Sequence, residues 1–338
     1  MRRAMPFVLL ALTLACSADD DAWRLMQATR KAAERWEVKP LAEAPAWAVD
    51  EGAPIVRFVQ YADIHHWEDS TFVRAIEFTN SDVKPDWVVL TGDNIVGPVT
   101  EEHHRHLKDL LGRLACPFYA IKGDDDSRDY EKAFGSSRWS FDCAGLHFLG
   151  AAIDYDADGA GIGYFDKSTW TWLSTDLDAH RDQPTVFFFH ENVVPPDFMD
   201  AARLGLELSR RRNVVATITG HMHNDLEYHV GQMTHICCPG LGPHERHGFK
   251  LYEVHEDHIT VKTYEVEGEK YVFANKWQRI SFASHLRADA SKGKEVTGYA
   301  AADPLPTTFT PGLTRVSEGV GSLISRLSRA LLGSKDGK

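Results

Sequence analysis

The sequence predicts an α/β protein organised around a largely parallel sheet, and two observations support this fold class. Short apolar segments rich in β-branched and aromatic residues, typical of buried strands, lie at residues 55–59, 87–91, 118–121, 185–189 and 213–219. Segments with helical spacing alternate with them at residues 69–83, 101–114 and 168–180. Alternating strands and helices are typical of βαβ units, in which successive strands lie parallel in one sheet. Beyond them, residues 248–266 alternate like the two strands of a hairpin.

The first strand is followed by an aspartate and a histidine one residue apart, Asp63 and His65. Side chains at positions i and i+2 after a strand can point into one crevice outside the carboxyl end of an open sheet. Such a pair suits a transition-metal ion. An isolated Asp-x-His pair also occurs by chance, as a solvated acid beside a surface histidine, so its meaning depends on the other strand ends.

Metal-ligating residues follow four further predicted strands, namely Asp93, Asp124, His190 and the pair His221 and His223. Because the carboxyl ends of neighbouring parallel strands meet at one edge of a sheet, we expect all seven side chains to lie close together. A mixture of imidazoles and carboxylates suits Zn, Fe or Mn rather than Ca or Mg. Seven such groups are enough for two ions that share a carboxylate.

In this order the motifs resemble those of the calcineurin-like metallophosphoesterase superfamily, which read D-x-H, G-D-x, G-N-H-[DE], H and G-H-x-H. The resemblance extends over residues 55–266. It implies a layered α/β/β/α sandwich, here with a short C-terminal extension, and two transition-metal ions (Fe, Mn or Zn). It also implies hydrolysis of a small phosphorylated substrate, a phosphodiester or phosphomonoester, by a hydroxide that bridges the two ions.

The same resemblance assigns the ligands. Those of the first ion would be Asp63, His65 and His223, and those of the second would be Asp124, His190 and His221, with Asp93 bridging the two.

One motif departs from the superfamily pattern, because residues 123–126 read Gly-Asp-Asp-Asp where the family has G-N-H-[DE]. Asp124 can still bind a metal through oxygen, but it adds a negative charge. Together with two other carboxylates and a bridging hydroxide, about four negative charges would face two divalent ions. We therefore hypothesise either a higher-valent ion such as Fe³⁺ or substrates of lower charge, such as diesters.

Asp125 stands where the superfamily has a histidine that acts on the transferring phosphoryl group. An ionised carboxylate would repel phosphate, whereas a carboxyl with a raised pKa could protonate the leaving group. His66 is a second catalytic candidate, and its alternative interpretation is a solvated loop histidine. The loss of the motif histidine also favours an alternative function, a degenerate relative that binds metal or a phosphorylated ligand without catalysis.

The N-terminal residues are typical of an export signal. Residues 1–16 combine two arginines with a short apolar segment and end in a lipobox-like Cys16, which predicts a signal peptide and a lipid anchor. The alternative is ordinary cleavage near Ala18 that releases a soluble protein. Either way we expect an exported bacterial protein, and the lipobox favours a periplasmic or cell-surface lipoprotein held at the membrane.

The remaining segment boundaries of the chain follow from its composition and residue pattern. Residues 17–53 are predicted as a helix or tether, residues 54–266 as the metallophosphoesterase domain, and residues 267–338 as an extension with a linker over 289–312 and an amphipathic helix over 316–332. The formal net charge of −12 argues against nucleic-acid binding. Cys116 and Cys143 form either a disulfide or two small buried groups.

Overall fold

The computed structural model describes residues 36–49, 51–65, 70–95, 100–126, 129–156, 163–193, 198–242 and 247–302. The α-helices in these ranges are α1 Ala46–Val49, α2 Ser70–Phe78, α3 Glu101–Leu111, α4 Tyr130–Phe134, α5 Lys167–Ala179 and α6 Ala201–Ser209. The strands are β1 Val56–Tyr61, β2 Trp87–Thr91, β3 Phe118–Ile121, β4 Trp139–Cys143, β5 Leu146–Gly150, β6 Tyr155–Asp156, β7 Gly163–Tyr164, β8 Thr185–Phe188, β9 Val214–Thr219, β10 Leu226–Val230, β11 Met233–Cys237, β12 Gly248–Val254, β13 His258–Glu267, β14 Lys270–Ser281 and β15 Thr297–Ala301.

Two large mixed sheets form the centre of the molecule. The first has six strands in the order β14-β13-β12-β1-β2-β3, and the second has seven in the order β10-β11-β9-β8-β5-β4-β15. Strands β1, β2 and β3 are parallel in the first sheet, as are β11, β9, β8 and β5 in the second. All five strands that the sequence predicts as buried are present as β1, β2, β3, β8 and β9, and they lie in the parallel parts of the two sheets, with β5 and β11 in addition.

The space between the sheets is filled by aromatic and aliphatic side chains. Phe58 stacks between Trp87 and Tyr252, with ring centroids 4.2 and 4.5 Å apart. Residues of β1 alternate between this inner core and the outer face, as expected for a strand covered on both sides. Replacing a buried aromatic such as Phe58 with Ala costs about 3–5 kcal/mol of stability in typical cores.

Helices cover the outer face of each sheet. Phe72 on α2 and Leu107 on α3 pack against the first sheet, and Leu173 on α5 and Leu204 on α6 pack against the second. The order of layers is therefore helix, sheet, sheet, helix. This confirms the predicted α/β/β/α sandwich.

The sheets continue beyond residue 266. Strand β14 pairs with β13 at one edge of the first sheet, and β15 pairs with β4 at one edge of the second. The predicted linker over 289–312 is therefore wrong for residues 290–301, which form a 3₁₀ turn, Ala290–Lys292, and then β15. The residues of β15, Thr-Gly-Tyr-Ala-Ala, are exposed and lack the apolar alternation of a half-buried strand, so their pairing was not visible in the sequence.

Several sequence predictions lie outside the described residues, namely the signal peptide with Cys16, the helix before residue 36, His66 and the helix over 316–332. Trp36 is described, and its ring lies 5.3 Å from that of Tyr228. The described cysteines Cys116, Cys143, Cys237 and Cys238 are all free thiols, so the first two do not form a disulfide. Among the described helices, none has the length and apolar character needed to cross a bilayer.

Candidate metal centre

The predicted ligands gather where the edges of the two sheets meet. Asp63 and His65 follow β1, Asp93 follows β2 and Asp124 follows β3 of the first sheet. The other three histidines follow β8 and β9 of the second sheet. The loops are joined by backbone hydrogen bonds, including those from Asp63 to Gly92 (3.1 Å) and from Gly220 to His190 (3.0 Å). The structure thus brings all seven residues together, as the convergence of strand ends requires.

The first group consists of Asp63, His65 and His223, whose ligand atoms all lie within 4.8 Å of one another. The Nε2 atom of His223 is 3.3 Å from Asp63 Oδ1 and 3.2 Å from His65 Nε2. Two imidazole nitrogens at the latter distance repel each other unless a proton or a cation lies between their lone pairs. This group therefore has the donors and the geometry of a cation site.

The second group consists of Asp93, Asp124, His190 and His221, again within 4.8 Å. Asp124 Oδ1 lies 3.0 Å from His190 Nε2 and 3.1 Å from His221 Nδ1. Asp93 faces both groups, because its Oδ1 is 3.2 Å from His190 Nε2 and its Oδ2 is 3.9 Å from His65 Nε2. This is the position that a bridging carboxylate requires.

A backbone carbonyl fixes the orientation of His190. Its Nδ1–H donates to the carbonyl oxygen of Thr91 at 2.7 Å, and its Nε2 then faces the carboxylates of Asp93 and Asp124. Metal-binding histidines commonly use one ring nitrogen in this way, which sets the tautomer and presents the other nitrogen to the ion.

Five of the seven residues have left-handed backbone conformations, with φ of 47° at Asp63, 44° at His65, 49° at Asp93, 67° at His221 and 48° at His223. A non-glycine residue in such a conformation costs roughly 1–3 kcal/mol and persists only where its surroundings enforce it. The enforcing contacts include a hydrogen bond from the His221 amide to Asp63 Oδ1 (2.8 Å) and one from the His65 amide to the Asp93 carbonyl (3.0 Å). Backbone strain is therefore concentrated at this site.

Three glycines leave room for the ligands. A Cβ at Gly92 would lie 2.5 Å from His190 Nδ1, and one at Gly220 would lie 2.7 Å from Asp63 Oδ2. A Cβ at Gly123 would overlap the carboxylate of Asp93. These positions require glycine because ligand side chains occupy the space that any other side chain would need.

The site concentrates negative charge that requires compensation by cations. Burial by itself raises the pKa of Asp63, but the hydrogen bond to His223 and the charge of His190 lower it overall. In the same way, burial opposes the low pKa of Asp124, which results from hydrogen bonds to His190 and His221. Burial would lower the pKa of His190, yet Asp93 and Asp124 raise it well above its usual value. A proton on His190 supplies positive charge here, which metal ions would supply instead when bound.

The residues present fit two transition-metal ions. Asp63 Oδ2 is buried and forms no hydrogen bond with any described residue, so a lone pair is available to a cation. The donors are carboxylate oxygens and imidazole nitrogens, which is the combination that Zn, Fe and Mn accept. Asp63, His65 and His223 would hold one ion, and Asp124, His190 and His221 the other, with Asp93 between them.

The three consecutive aspartates of residues 124–126 have different environments. Asp125 is 41% exposed at the opening of the site, with its Oδ2 3.7 Å from His65 Nδ1. Partial burial and the charges of Asp93 and Asp124 raise the pKa of Asp125. Asp126 is buried and accepts hydrogen bonds from the Gly123 amide (2.9 Å) and from Asn94 Nδ2 (2.6 Å), and burial raises its pKa to about 7. Asp126 therefore ties the loop after β3 to the loop after β2.

Sequence reasoning missed the supporting residues of the site. Asp126 and Asn94 each follow a predicted ligand closely, but only the fold shows that they bond to each other. Glu191, directly after His190, is buried, and neither carboxylate oxygen bonds to a described residue. Asp225, two residues after His223, is buried in contact with Lys250 and Lys276. The sequence does contain a signal for a partner such as Asp225, because a lysine inside an otherwise apolar strand, here Lys250 in β12, predicts a buried acidic partner.

Comparison with known proteins shows similarity to calcineurin-like phosphoesterases. The family model for calcineurin-like phosphoesterases matches residues 56–225. The chain is 26% identical over 165 residues to a probable glycerophosphodiester phosphodiesterase, GpdQ, from Arcobacter nitrofigilis, covering 44% of this chain and 60% of that protein. It is 35% identical over 81 residues to an uncharacterized metallophosphoesterase, YkuE, from Bacillus subtilis, covering 23% and 28% respectively. The matched segment is thus less than two thirds of the length of either relative.

Solved structures share the fold. A dimetal phosphatase from Danio rerio superposes with a TM-score of 0.54 at 15% identity, covering 68% of this chain and 100% of that one. GAP50, the anchor in the inner membrane complex of Plasmodium, superposes with a TM-score of 0.52 at 14% identity, covering 68% and 90%. At such identities the likeness shows the architecture alone.

Proposed function

The chain belongs to the calcineurin-like phosphoesterase family, and on this premise we propose that it is a dinuclear metal-dependent hydrolase of phosphoesters. The observation that carries the proposal is the set of seven ligand side chains, which lie in two adjacent groups with Asp93 facing both. Two ions bound there would activate water and neutralise the charge that develops on the phosphoryl oxygens. A binding module has little need for such a full set.

The protein's own residues contribute preorganisation. Hydrogen bonds between the loops hold Asp63, His65 and His221 in strained backbone conformations before any substrate arrives. The Thr91 carbonyl fixes the ring of His190. Because these groups do not have to reorganise during the reaction, their placement favours the transition state over free substrate.

We assign phosphodiesters as the preferred substrate class. Asp125 brings a fourth carboxylate to the opening of a site that already holds Asp63, Asp93 and Asp124. A phosphomonoester dianion is repelled more strongly by this cluster than a diester monoanion is. The name of the Arcobacter relative, a diesterase, agrees with this assignment. A trivalent ion in one position would offset the charge and weaken the preference.

The proposal is tested by hydrolysis of an aryl phosphodiester and an aryl phosphomonoester. The full chain is freed of metal and reloaded separately with Mn, Zn and Fe, and Asp93→Asn serves as the control. Diester turnover that disappears in the control supports the dinuclear hydrolase. Strong monoester turnover with two Zn²⁺ ions would contradict the charge argument but leave the hydrolase in place.

The alternative function is metal or phospholigand binding without catalysis, and one observation favours it. Asp125 occupies the position of the superfamily's motif histidine, and its carboxyl lies at the opening of the site. The same experiment distinguishes the two functions. Uptake of two ions with no turnover of either ester by any metal form would establish the binding function.

We also propose that the protein is exported and held at the membrane by a lipid on Cys16, in the periplasm or at the cell surface. The support is the sequence of residues 1–16, with its basic start, apolar segment and lipobox-like end. Expression of the full chain and of Cys16→Ser, followed by membrane fractionation, tests this. Membrane association of the full chain that Cys16→Ser loses supports the anchor, whereas equal release of both proteins contradicts it.

A further inference from the structure

A second cluster of metal-ligating side chains lies in the first sheet, at the end of β1 opposite to the metal centre. Glu51 precedes β1, His255 follows β12, and His258 is the first residue of β13. Because β12 runs antiparallel to β1, with Val254 opposite Val56, this cluster lies at the start of β1. Asp63 of the metal centre follows the other end of that strand, about 16 Å away along the strand at about 3.3 Å per residue.

The three side chains converge on one point. The Nε2 atom of His258 lies 2.8 Å from Glu51 Oε1, and the Nε2 atom of His255 lies 3.5 Å from Glu51 Oε2. The two imidazole rings are nearly parallel, with centroids 4.8 Å apart. The ligand atoms of all three residues lie within 4.8 Å of one another, so one ion can contact all of them after small side-chain movements.

One ligand atom forms no hydrogen bond. The side chain of His255 is only 7% exposed, and its buried Nε2 forms no hydrogen bond with any described residue. A buried polar atom without a partner costs about 1–3 kcal/mol. Because this nitrogen points toward the carboxylate of Glu51 and the imidazole of His258, a cation between them would satisfy it.

Neighbouring side chains orient the ligands. His258 Nδ1–H donates to Asp257 Oδ1 at 2.6 Å, which directs Nε2 toward Glu51. The hydroxyl of Thr260 donates to Glu51 Oε1 at 2.6 Å. A carboxylate that holds the outer nitrogen of a histidine is a common supporting contact of protein metal sites, since it fixes the tautomer and increases ligand basicity.

A similar cluster elsewhere shows why the unpartnered nitrogen matters. Asp142, His147 and His180 also lie close together, but both ring nitrogens of His147 are bonded to carboxylates, Nδ1 to Asp142 (2.8 Å) and Nε2 to Asp176 (2.6 Å). That cluster is satisfied by a protonated imidazole and needs no ion. In the cluster at Glu51, both ring nitrogens of His258 likewise face carboxylates, but the buried Nε2 of His255 forms no hydrogen bond with any described residue.

We propose that Glu51, His255 and His258 form a third metal site, which takes Zn²⁺ or a similar divalent transition-metal ion. Two imidazoles and one carboxylate are a common ligand set for zinc, with a fourth position for water. The bound ion would fasten the segment before β1 to the β12–β13 turn, so its role would be structural. The site is independent of the hydrolase activity and of the ions bound at Asp93.

The test is the number of zinc ions bound by the full chain. Metal-free protein is equilibrated with Zn²⁺, passed through a desalting column and analysed for metal per chain. We expect one ion fewer in His255→Gln than in the wild type, with unchanged ester hydrolysis and a smaller zinc-dependent rise in melting temperature. His180→Gln, which removes a histidine from the satisfied cluster, is the matched control and should keep the wild-type number.

A second variant guards against misfolding of the first. Glu51→Gln retains an oxygen that accepts from Thr260 but loses the charge that a cation requires, so it should also lose one ion. Circular dichroism establishes that each variant is folded. The same zinc number and the same zinc-dependent melting temperature in the wild type and in either folded variant would overturn the proposed site.

Discussion

The two ends of strand β1 hold metal-ligand clusters that differ in construction. At the carboxyl end, three carboxylates and four imidazoles lie on backbone that is left-handed at five of the seven residues. At the other end, one carboxylate and two imidazoles form the cluster, and neither His255 nor His258 is among the described residues with positive φ. Crowded charge and backbone strain therefore accompany only the cluster that has an opening for substrate.

This difference follows from what each cluster has to do. A structural site can close its ligands around one ion on relaxed backbone. A catalytic site has to hold two ions close together and leave positions open, so like charges such as Asp93 and Asp124 are brought within contact of the same imidazole. Such an arrangement lowers the stability of the folded protein, and packing elsewhere in the fold compensates for this cost.

Replacement of Asp93 by Asn is expected to have the largest effect on activity. It should impair the metal centre and leave the cluster at Glu51 unchanged. The amide cannot bridge two cations as a carboxylate does, so diester hydrolysis should fall by more than about 100-fold, beyond the loss typical of supporting residues. Zinc binding at Glu51 should persist. Hydrolysis rates and metal content measured on the same preparation check both parts, and retained activity would contradict the bridging role.

Replacement of Gly123 by Ala tests whether the narrow geometry of the centre matters. The added Cβ would overlap the Asp93 carboxylate and its backbone nitrogen, so Asp93 has to move. A displacement of about 1 Å in a catalytic group costs about 100-fold in rate. Gly268→Ala is the control for backbone strain without a steric clash, because Gly268 has positive φ (64°) and open space around it. It should lose some stability and keep its activity.

Replacement of Asp125 tests whether the extra negative charge at the metal centre determines which esters are hydrolysed. Asp125→His restores the superfamily residue, and Asp125→Asn removes the charge alone. Both should raise monoester hydrolysis relative to diester hydrolysis, and we expect about tenfold for the histidine, equivalent to about 1.4 kcal/mol. The ratio of the two rates is the measurement. An unchanged ratio in both variants would show that Asp125 does not govern substrate charge.

The last prediction concerns stability rather than activity, at His235, a buried histidine whose only described side-chain hydrogen bond is to the Thr217 hydroxyl. Burial lowers its pKa to about 3. The folded protein keeps this ring neutral below pH 6.5, where the unfolded chain takes up a proton, so its contribution to stability is lost as the pH falls from 6.5 towards 3. At about pH 5 the loss is about 2 kcal/mol, from about 1.5 pH units at about 1.4 kcal/mol each.

Urea unfolding near neutral pH and near pH 5 measures this loss. His235→Gln should be less stable than the wild type near pH 7 but should lose less stability on acidification. Equal pH dependence in the two proteins would show that His235 is protonated in the folded state.

Much of the fold and of the metal centre could be predicted from sequence, for a physical reason. Strand segments such as 87–91 and 118–121 are continuous apolar runs, and each is followed closely by a ligand, so the convergence of parallel strands places Asp93 and Asp124 together. The rest depends on contacts between distant segments. Glu51 and His258 are separated by 207 positions and meet only through the antiparallel pairing of β1 with β12.

The burial of Asp126 and the pairing of the edge strand β15 could not be predicted from the sequence either. Nothing in the sequence distinguishes Asp126, which ties two loops together, from Asp125, which lies at the opening of the site. Strand β15 is exposed along its whole length and is defined by its hydrogen bonds to β4. Local pattern reveals periodic apolar burial, whereas these features depend on tertiary contacts.

The most direct test of the central claim is an anomalous-difference map from crystals of the full chain loaded with Mn²⁺. We expect two peaks about 3.5–4 Å apart, one on each side of the Asp93 carboxylate. The first peak should lie among Asp63, His65 and His223, and the second among Asp124, His190 and His221. A single peak, or no peak next to Asp93, would contradict the dinuclear centre.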